Sequence, residues 1–412
     1  MRFAADLHLH SHFAGGVSPD MTIENIALWA QIKGIDLLVT GDCLQAEWLN
    51  ELQVNLREAE PGFYALRADL ENAIWNRLPA VLRRHLRYVV GTEVCCAPPG
   101  TPALGGLHHL IYFRSLASAR RFRERLANYG DFSDGRSTLT LNSQQLLEAV
   151  LGHGDGCELA PAHVFNPWFS SLGTVSGART LAELFGDLTS HLLAVETGLT
   201  STPPMCRRLS SLDQHALFSC SDAHSLQNIG RECTVMEIEP GFDALMAALR
   251  SGSCRQVCGT LKFPLERTRY YRNRCGTCDE SFDGKRCLRC GRPLVVGAHD
   301  RLEIIADREL PQSGADAPPF CELLPLAHLL ADFFRVGPAS KTVGKFYTRM
   351  TENLGPERYI LTEATFDEIA RISLPQIARA IIEQRTMVPL PPQYAPTETK
   401  SPDETQLPLA LN

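Results

Sequence analysis

Residues 1–260 predict an α/β architecture, a parallel sheet or barrel with helices between its strands. Short apolar runs alternate there with amphipathic helical segments, the pattern of strand–helix–strand units. The runs are apolar through their middles, as strands covered on both faces must be. Polar residues gather where the runs end, at Asp42, Glu93, His163, Glu196, Asp222 and His224. Parallel α/β folds place their sites at the carboxyl ends of strands, so these residues mark a candidate site.

The elements follow in order. "ADLHLHSHF" near the N-terminus reads as a short strand. Side chains alternate along a strand, so His8 and His10 share a face and lie close enough to hold one metal ion. Imidazole nitrogen suits Zn, Mn or Fe. His12 has the same parity but falls at or beyond the strand end. "IDLLVTGD" (35–42) reads as a buried strand, followed by a helix through "QAEWLNELQVNLREAE". "RYVVGTEV" (87–94), "LHHLIYF" (107–113), "CELAPAH" (157–163), "HLLAVETG" (191–198) and "ALFSCSDAH" (216–224) read as further strands. "RSLASARRFRERLANYG" and "TLAELFGDLTSHL" read as helices between them.

Glu93 and His163 directly follow small apolar strands, and alternation again puts Asp222 and His224 on one side. Carboxylates at such places bridge metal ions while histidines complete their coordination. The adjacent His108 and His109 must face opposite ways on a strand, and the sequence leaves open which turns inward. His85, His153, His215, His299 and His328 sit in polar helical or loop contexts and read as solvated side chains.

The texture changes near residue 262. From Lys262 to Arg301 ten Lys and Arg face five Asp and Glu, with Tyr270 and Tyr271 among them, which suggests a surface that tracks phosphates. Inside it lie Cys275-x-x-Cys278 and Cys287-x-x-Cys290, eight residues apart. Two such knuckles form a tetrahedral thiolate site for structural zinc. "PQSGADAPP" (311–319) reads as a linker and the stretch after it as a small helical domain. The expected organisation is an α/β unit over 1–260, a four-cysteine zinc module over 261–310, a helical domain over 311–388 and a Pro-rich disordered tail over 389–412.

The 412 residues are 44% hydrophobic and 21% charged, an ordinary globular composition. A net charge of −7 argues against a general nucleic-acid coat but leaves room for a local basic face. Fourteen cysteines without a secretory leader point to metal binding and reduced thiols. No apolar run is long enough to span a bilayer, and a cytoplasmic location is expected.

Taken together, HxH, an Asp after the second strand, "GTE", "PAH" and "SDAH" resemble the polymerase-and-histidinol-phosphatase (PHP) phosphoesterases. The resemblance is closer still to the endonuclease Q family. It is carried by "DLHLHS", "SPDMTIENIALWAQIKGIDLLVTGD", "EWLNEL", "FSDGR", "PWFSSLG", "ETGL", "RLSSLD" and "SDAHSLQNIGRE", in order, together with the four cysteines and "PQIARAII". It implies a distorted seven-stranded (β/α) PHP barrel, a zinc module and a helical C-terminal domain. It also implies two or three divalent ions (Zn, Mn or Mg) at the barrel mouth, held by His8, His10, Asp42, Glu93, His163, Asp222 and His224. Of the adjacent pair it favours His108 over His109 as a ligand. His8, His10, Glu93, Asp222 and His224 are expected to carry catalysis. The implied activity is nicking of DNA on the 5′ side of deaminated bases (uracil, hypoxanthine, xanthine) or abasic sites.

The chain departs from the family pattern at Cys43, where the wider family has His, and at Gln45, where endonuclease Q has His. Basic residues are missing from the loops 12–18, 101–107 and 173–177. These departures bear on a third metal and on the strength of DNA contact, not on the fold. A small-molecule PHP phosphoesterase is the first alternative, although it would need neither zinc module nor basic segment. A DNA- or partner-binding relative that does not cleave is the second. Lesion preference, metal identity, oligomeric state and any replication-clamp contact stay open at this level.

Overall fold

The computed structural model describes residues 1–387 apart from 103–104, 155, 281–283 and 315; the tail expected over 389–412 lies outside the described residues. Fourteen strands are present among them. They are β1 (Arg2–Asp6), β2 (Leu37–Val39), β3 (Leu56–Glu60), β4 (Phe63–Leu66), β5 (Arg87–Cys96), β6 (Leu107–Phe113) and β7 (Gly130–Asp131). The remainder are β8 (Ser137–Leu139), β9 (Cys157–Pro161), β10 (Val195–Glu196), β11 (Leu217–Phe218), β12 (Cys233–Glu237), β13 (Val257–Lys262) and β14 (Phe320–Glu322).

Twelve of these strands form one sheet, whose main path runs β14-β13-β12-β1-β2-β5-β4-β3. It branches at β5, which also pairs with β6 and β8; β9 lies beyond β6, and β7 beside β8. β10 and β11 form a separate parallel pair. The expected parallel sheet is therefore corrected to a mixed α/β one, which no described ladder closes. β1, β2 and β5 run parallel, with the helix Ile23–Lys33 as the first crossover. The loop from β5 to β6 is too short for such a crossover, so the two strands pair antiparallel. β1–β12 and β12–β13 are antiparallel as well.

A second correction concerns "QAEWLNELQVNLREAE". The helix there stops at Asn55, and Leu56–Glu60 instead forms β3, paired antiparallel with β4. The glutamates favour a helix locally, but pairing with an apolar partner strand outweighs that preference.

Phe3, Leu37, Val89, Ile111 and Leu159 lie in the main core. The helices Leu326–Phe334, Lys341–Leu354 and Pro375–Met387 contribute to a second core around Leu330, Met350 and Ile377. The four-cysteine segment emerges between β13 and β14, and β14 returns to lie parallel to β13. Before that return, the helix Ala298–Ile305 sets Ala298, Leu302 and Ile305 into the main core. The buried Lys33 Nζ meets Glu357 at 2.6 Å, tying the first helix to the C-terminal helices. Among the described residues, no helix is long and apolar enough to cross a membrane.

Candidate metal centre

The histidine pair sits just beyond β1 rather than on it, since that strand ends at Asp6. Leu9 continues the extended track through an isolated parallel bridge to Ala223. The buried Asp6 carboxylate accepts the Ser221 N–H at 3.0 Å and the Gly230 N–H at 2.9 Å, which fixes the loop bearing Asp222 beside the histidines. His8 Nδ1 lies 3.0 Å from Glu196 and His10 Nδ1 lies 2.9 Å from Asp42. Each carboxylate thus holds an imidazole from behind and turns its Nε2 forward. His8 Nε2, His10 Nε2 and Asp222 Oδ1 are buried and make no hydrogen bond among the described residues. The three residues bring their ligand atoms within 4.8 Å of one another. Buried polar atoms without partners are costly, and three converging ones fit a divalent ion.

A second group is Glu93, His108 and His163, again with ligand atoms within 4.8 Å. Glu93 Oε1 lies 2.9 Å from His108 Nδ1 and 2.9 Å from His163 Nε2. The same carboxylate approaches His8 Nε2 and His10 Nε2 at 3.4 Å, so it stands between the groups and has the placement of a bridge. Strand register separates the adjacent histidines. His108 faces Cys95 and His109 faces Val94 across the β5–β6 ladder, and Cys95 shares the face of Glu93. His109 is therefore not brought to the centre. Its Nε2 meets Ser143 Oγ at 2.9 Å and its ring lies against Phe185.

Three strand-end residues here have left-handed backbones: Asp42 (φ 45°), His163 (φ 30°) and Asp222 (φ 47°). Such conformations are uncommon outside glycine and concentrate at functional sites. They correct the reading of Asp222 and His224 as alternate positions on a strand, because β11 ends at Phe218. His163 also demands glycine behind it, since a Cβ on Gly198 would lie 2.4 Å from His163 Cβ. The buried Lys262 Nζ fixes that glycine by donating to its carbonyl at 2.6 Å and to Thr197 Oγ1 at 3.1 Å, while pairing with Glu232.

The local charge balance is negative. Burial alone would lower the His8 imidazole, yet the Glu196, Asp222 and Glu93 carboxylates raise it to about 9. Burial takes His108 the other way, to about 4, despite Glu93 beside it. A neutral imidazole of that kind is ready to ligate a metal.

Two expected ligands occupy other places. Both Asp42 oxygens are engaged, one by His10 and the other by Ser11 N–H at 2.6 Å and Ser11 Oγ at 2.7 Å. Asp42 therefore orients His10 instead of presenting a free oxygen. His224 belongs to neither group of three: Nδ1 meets the Asp222 carbonyl at 2.9 Å and Nε2 accepts from Arg136 at 3.0 Å. Gln45 caps the helix Ala46–Asn55 by accepting the Trp48 N–H at 2.7 Å. His215, read from sequence as solvated, is buried. Sequence reasoning noted Glu196 as a strand-end carboxylate without giving it a role, and missed Arg136, whose only signal was the motif "FSDGR".

Cys275, Cys278, Cys287 and Cys290 also converge within 4.8 Å. The Cys278 N–H donates to Cys275 Sγ at 3.3 Å, and such donors lower that thiol to about 6. The geometry fits one tetrahedral ion. Arginines of this segment are paired locally, Arg269 and Arg274 with Asp279, Arg272 with Glu266 and Arg289 with Glu280. Exposed pairs of this kind are weak.

A cleft of about 860 Å³ opens beside the centre, with His163 and Asp222 on one side and Arg231, Tyr270 and His328 around it. The Trp168 and Tyr270 rings meet edge to face at 4.5 Å. A second groove of about 380 Å³ is lined by His108, Arg136 and Phe169.

The MJ0043 C-terminal domain family matches residues 325–387. The uncharacterised protein YqxK of Bacillus subtilis is 27% identical over 405 residues, spanning 93% of this chain and 94% of its own. Protein MJ0043 of Methanocaldococcus jannaschii is 30% identical over 165 residues, which is 39% of this chain and 16% of that protein. The lesion-specific endonuclease PfuEndoQ from Pyrococcus furiosus superposes with a TM-score of 0.79 at 26% identity, covering 94% of this chain and 91% of its own. Endonuclease Q in complex with a 27-mer duplex carrying an abasic lesion at the active site gives a TM-score of 0.81 at 26% identity, covering 94% and 92%. Over nearly its whole length this chain is thus similar to endonuclease Q in sequence and fold, and its residues 325–387 match the MJ0043 C-terminal domain family.

Proposed function

We propose that this chain is a metal-dependent DNA repair endonuclease that hydrolyses the phosphodiester 5′ to a deaminated base (uracil, hypoxanthine or xanthine) or an abasic site. The observation that carries this reading is the convergence of His8 Nε2, His10 Nε2 and Asp222 Oδ1, buried and without hydrogen bonds, beside a cleft of about 860 Å³. Its whole-length similarity to an endonuclease solved with a lesion-bearing duplex supports the substrate class.

His8, His10 and Asp222 would hold one divalent ion, and His108 and His163 a second, with Glu93 between them. Such ions neutralise phosphate oxygens and acidify water. Glu196 and Asp42 fix the imidazole tautomers by occupying each Nδ1. The cleft beside His163 and Asp222 suits a nucleotide turned out of the duplex, and a damaged or missing base costs least to extrude. Tyr270, edge-on to Trp168, offers an aromatic contact at its rim. The four cysteines would hold a structural zinc that orders the segment carrying Tyr270.

The test is cleavage of uracil-, hypoxanthine- and abasic-containing duplexes at low salt with Mg²⁺, Mn²⁺ or Zn²⁺. Nicking on the 5′ side of the lesion, lost in Asp222→Asn, is the expected result. Turnover of a small phosphate monoester with every duplex left intact would overturn it.

A further inference from the structure

We propose, resting on the phosphodiesterase reading above, that Arg136 is a catalytic residue whose guanidinium binds a non-bridging oxygen of the scissile phosphate. Three observations lead there.

The backbone that carries the side chain is tied to its neighbours. Asp134 ties the loop at both ends, accepting the Arg136 N–H at 2.8 Å and the Gly15 N–H at 3.0 Å. Gly135 donates to the Phe13 carbonyl at 3.0 Å, and a Cβ there would lie 2.6 Å from Asp42 Oδ2. The loop therefore rests directly on the carboxylate that orients His10. Ser137 then enters β8, which pairs with β5 at Val94.

The guanidinium also belongs to the centre. Nε donates to Glu93 Oε2 at 2.6 Å and Nη2 donates to His224 Nε2 at 3.0 Å. His224 Nε2 is thereby occupied by a donor. The positive charge at the Glu93–His224 edge is the arginine's own.

Finally, the side chain is not sealed in. It is 24% exposed and lines the groove of about 380 Å³ with His108 and Phe169. Among the described residues Nη1 makes no hydrogen bond. A planar guanidinium with a donor to spare matches phosphate oxygens. In the reaction the oxygen of water bonds to phosphorus and the bond to the leaving sugar oxygen breaks, that oxygen taking up a proton while water releases one. Charge builds on the non-bridging oxygens as this happens, so a cation fixed beforehand favours the transition state over the bound substrate.

The experiment measures kcat, KM, duplex affinity and metal content per chain for wild type, Arg136→Ala and Arg136→Lys on an abasic duplex, with and without added guanidinium. Arg136→Ala is expected to lower kcat about 100-fold while metal content holds and duplex affinity changes little. Arg136→Lys should keep part of the rate, and free guanidinium should restore part of the Arg136→Ala rate. Loss of metal from the histidine–carboxylate centre in both variants, or absence of guanidinium rescue, would make Arg136 a prop for Glu93 and overturn the proposal. So would an unchanged kcat. If Arg136→Ala does not fold, Arg136→Lys decides alone: metal content held with kcat lowered supports the proposal, and any other result overturns it. Wild type that cleaves no duplex would overturn the functional reading and this proposal together, whereas active wild type with an unaffected variant overturns only the latter.

Discussion

Glu196 holds two expected ligands at once: its carboxylate lies 3.0 and 3.1 Å from His8 Nδ1 and accepts the His163 N–H at 2.8 Å. It thus aims one imidazole and anchors the backbone of another. Glu196→Gln keeps the shape but weakens both contacts. Metal affinity of the histidine–carboxylate centre is expected to fall about 10- to 100-fold, read by titration of the metal-stripped protein. Unchanged affinity would show that the imidazoles are held by packing alone.

The β5–β6 register predicts opposite outcomes for neighbouring residues. His108→Asn removes a group from the Glu93 cluster, and should lower metal content and cleavage together. His109→Asn removes the contacts with Ser143 and Phe185 and should cost about 1 kcal/mol or more of stability with metal content intact. Elemental analysis and thermal melts of the two variants provide the comparison. Equal metal loss in both would contradict the register.

The four-cysteine site predicts a pH dependence whose direction follows from Cys275. Its folded value, about 6, lies below its ordinary 9.0, so its contribution is fully present above 9.0 and is lost as pH falls through about 6. Bound zinc competes with protons and moves that loss lower. Zinc release followed by a chromogenic chelator should therefore rise as pH falls. Cys287→Ser should lower zinc content by about one ion and reduce thermal stability. A variant with full zinc content would mean that the four sulfurs do not share an ion.

Lys33 and Glu357 predict how the C-terminal helices are held. Glu357 also accepts the Tyr347 hydroxyl at 2.6 Å and the Leu326 N–H at 2.9 Å. Glu357→Ala strands a buried ammonium and should cost about 3–5 kcal/mol. Replacing Lys33 as well, as Lys33→Met with Glu357→Leu, should recover much of that loss. Calorimetry of the single and double variants tests it, and an additive loss would argue against the pair as the link.

By itself the sequence determined which chemistry is present and roughly where. HxH, "GTE", "PAH", "SDAH" and the two cysteine knuckles are local patterns, and each places a ligand-type residue within a few positions of a strand or turn. Local spacing is enough for that, because side-chain direction follows from backbone periodicity. The β6 strand over Leu107–Phe113 was legible for the same reason.

Only the tertiary structure decided what each residue is for. His108 and His109 have equal local claims, and the pairing with β5 chose between them. Asp42 looks like a ligand until Ser11 and His10 are seen to take both its oxygens, and Gln45 proves to cap a helix. Arg136 carries no periodic signal at all and joins the centre because its loop is pinned on Gly15 and Phe13. The expected parallel strands gave way to a branched mixed sheet, since strand direction depends on connections and partners far apart in the chain. Register, tautomer and the destination of a hydrogen bond are set by long-range contacts, and a one-dimensional pattern does not encode them.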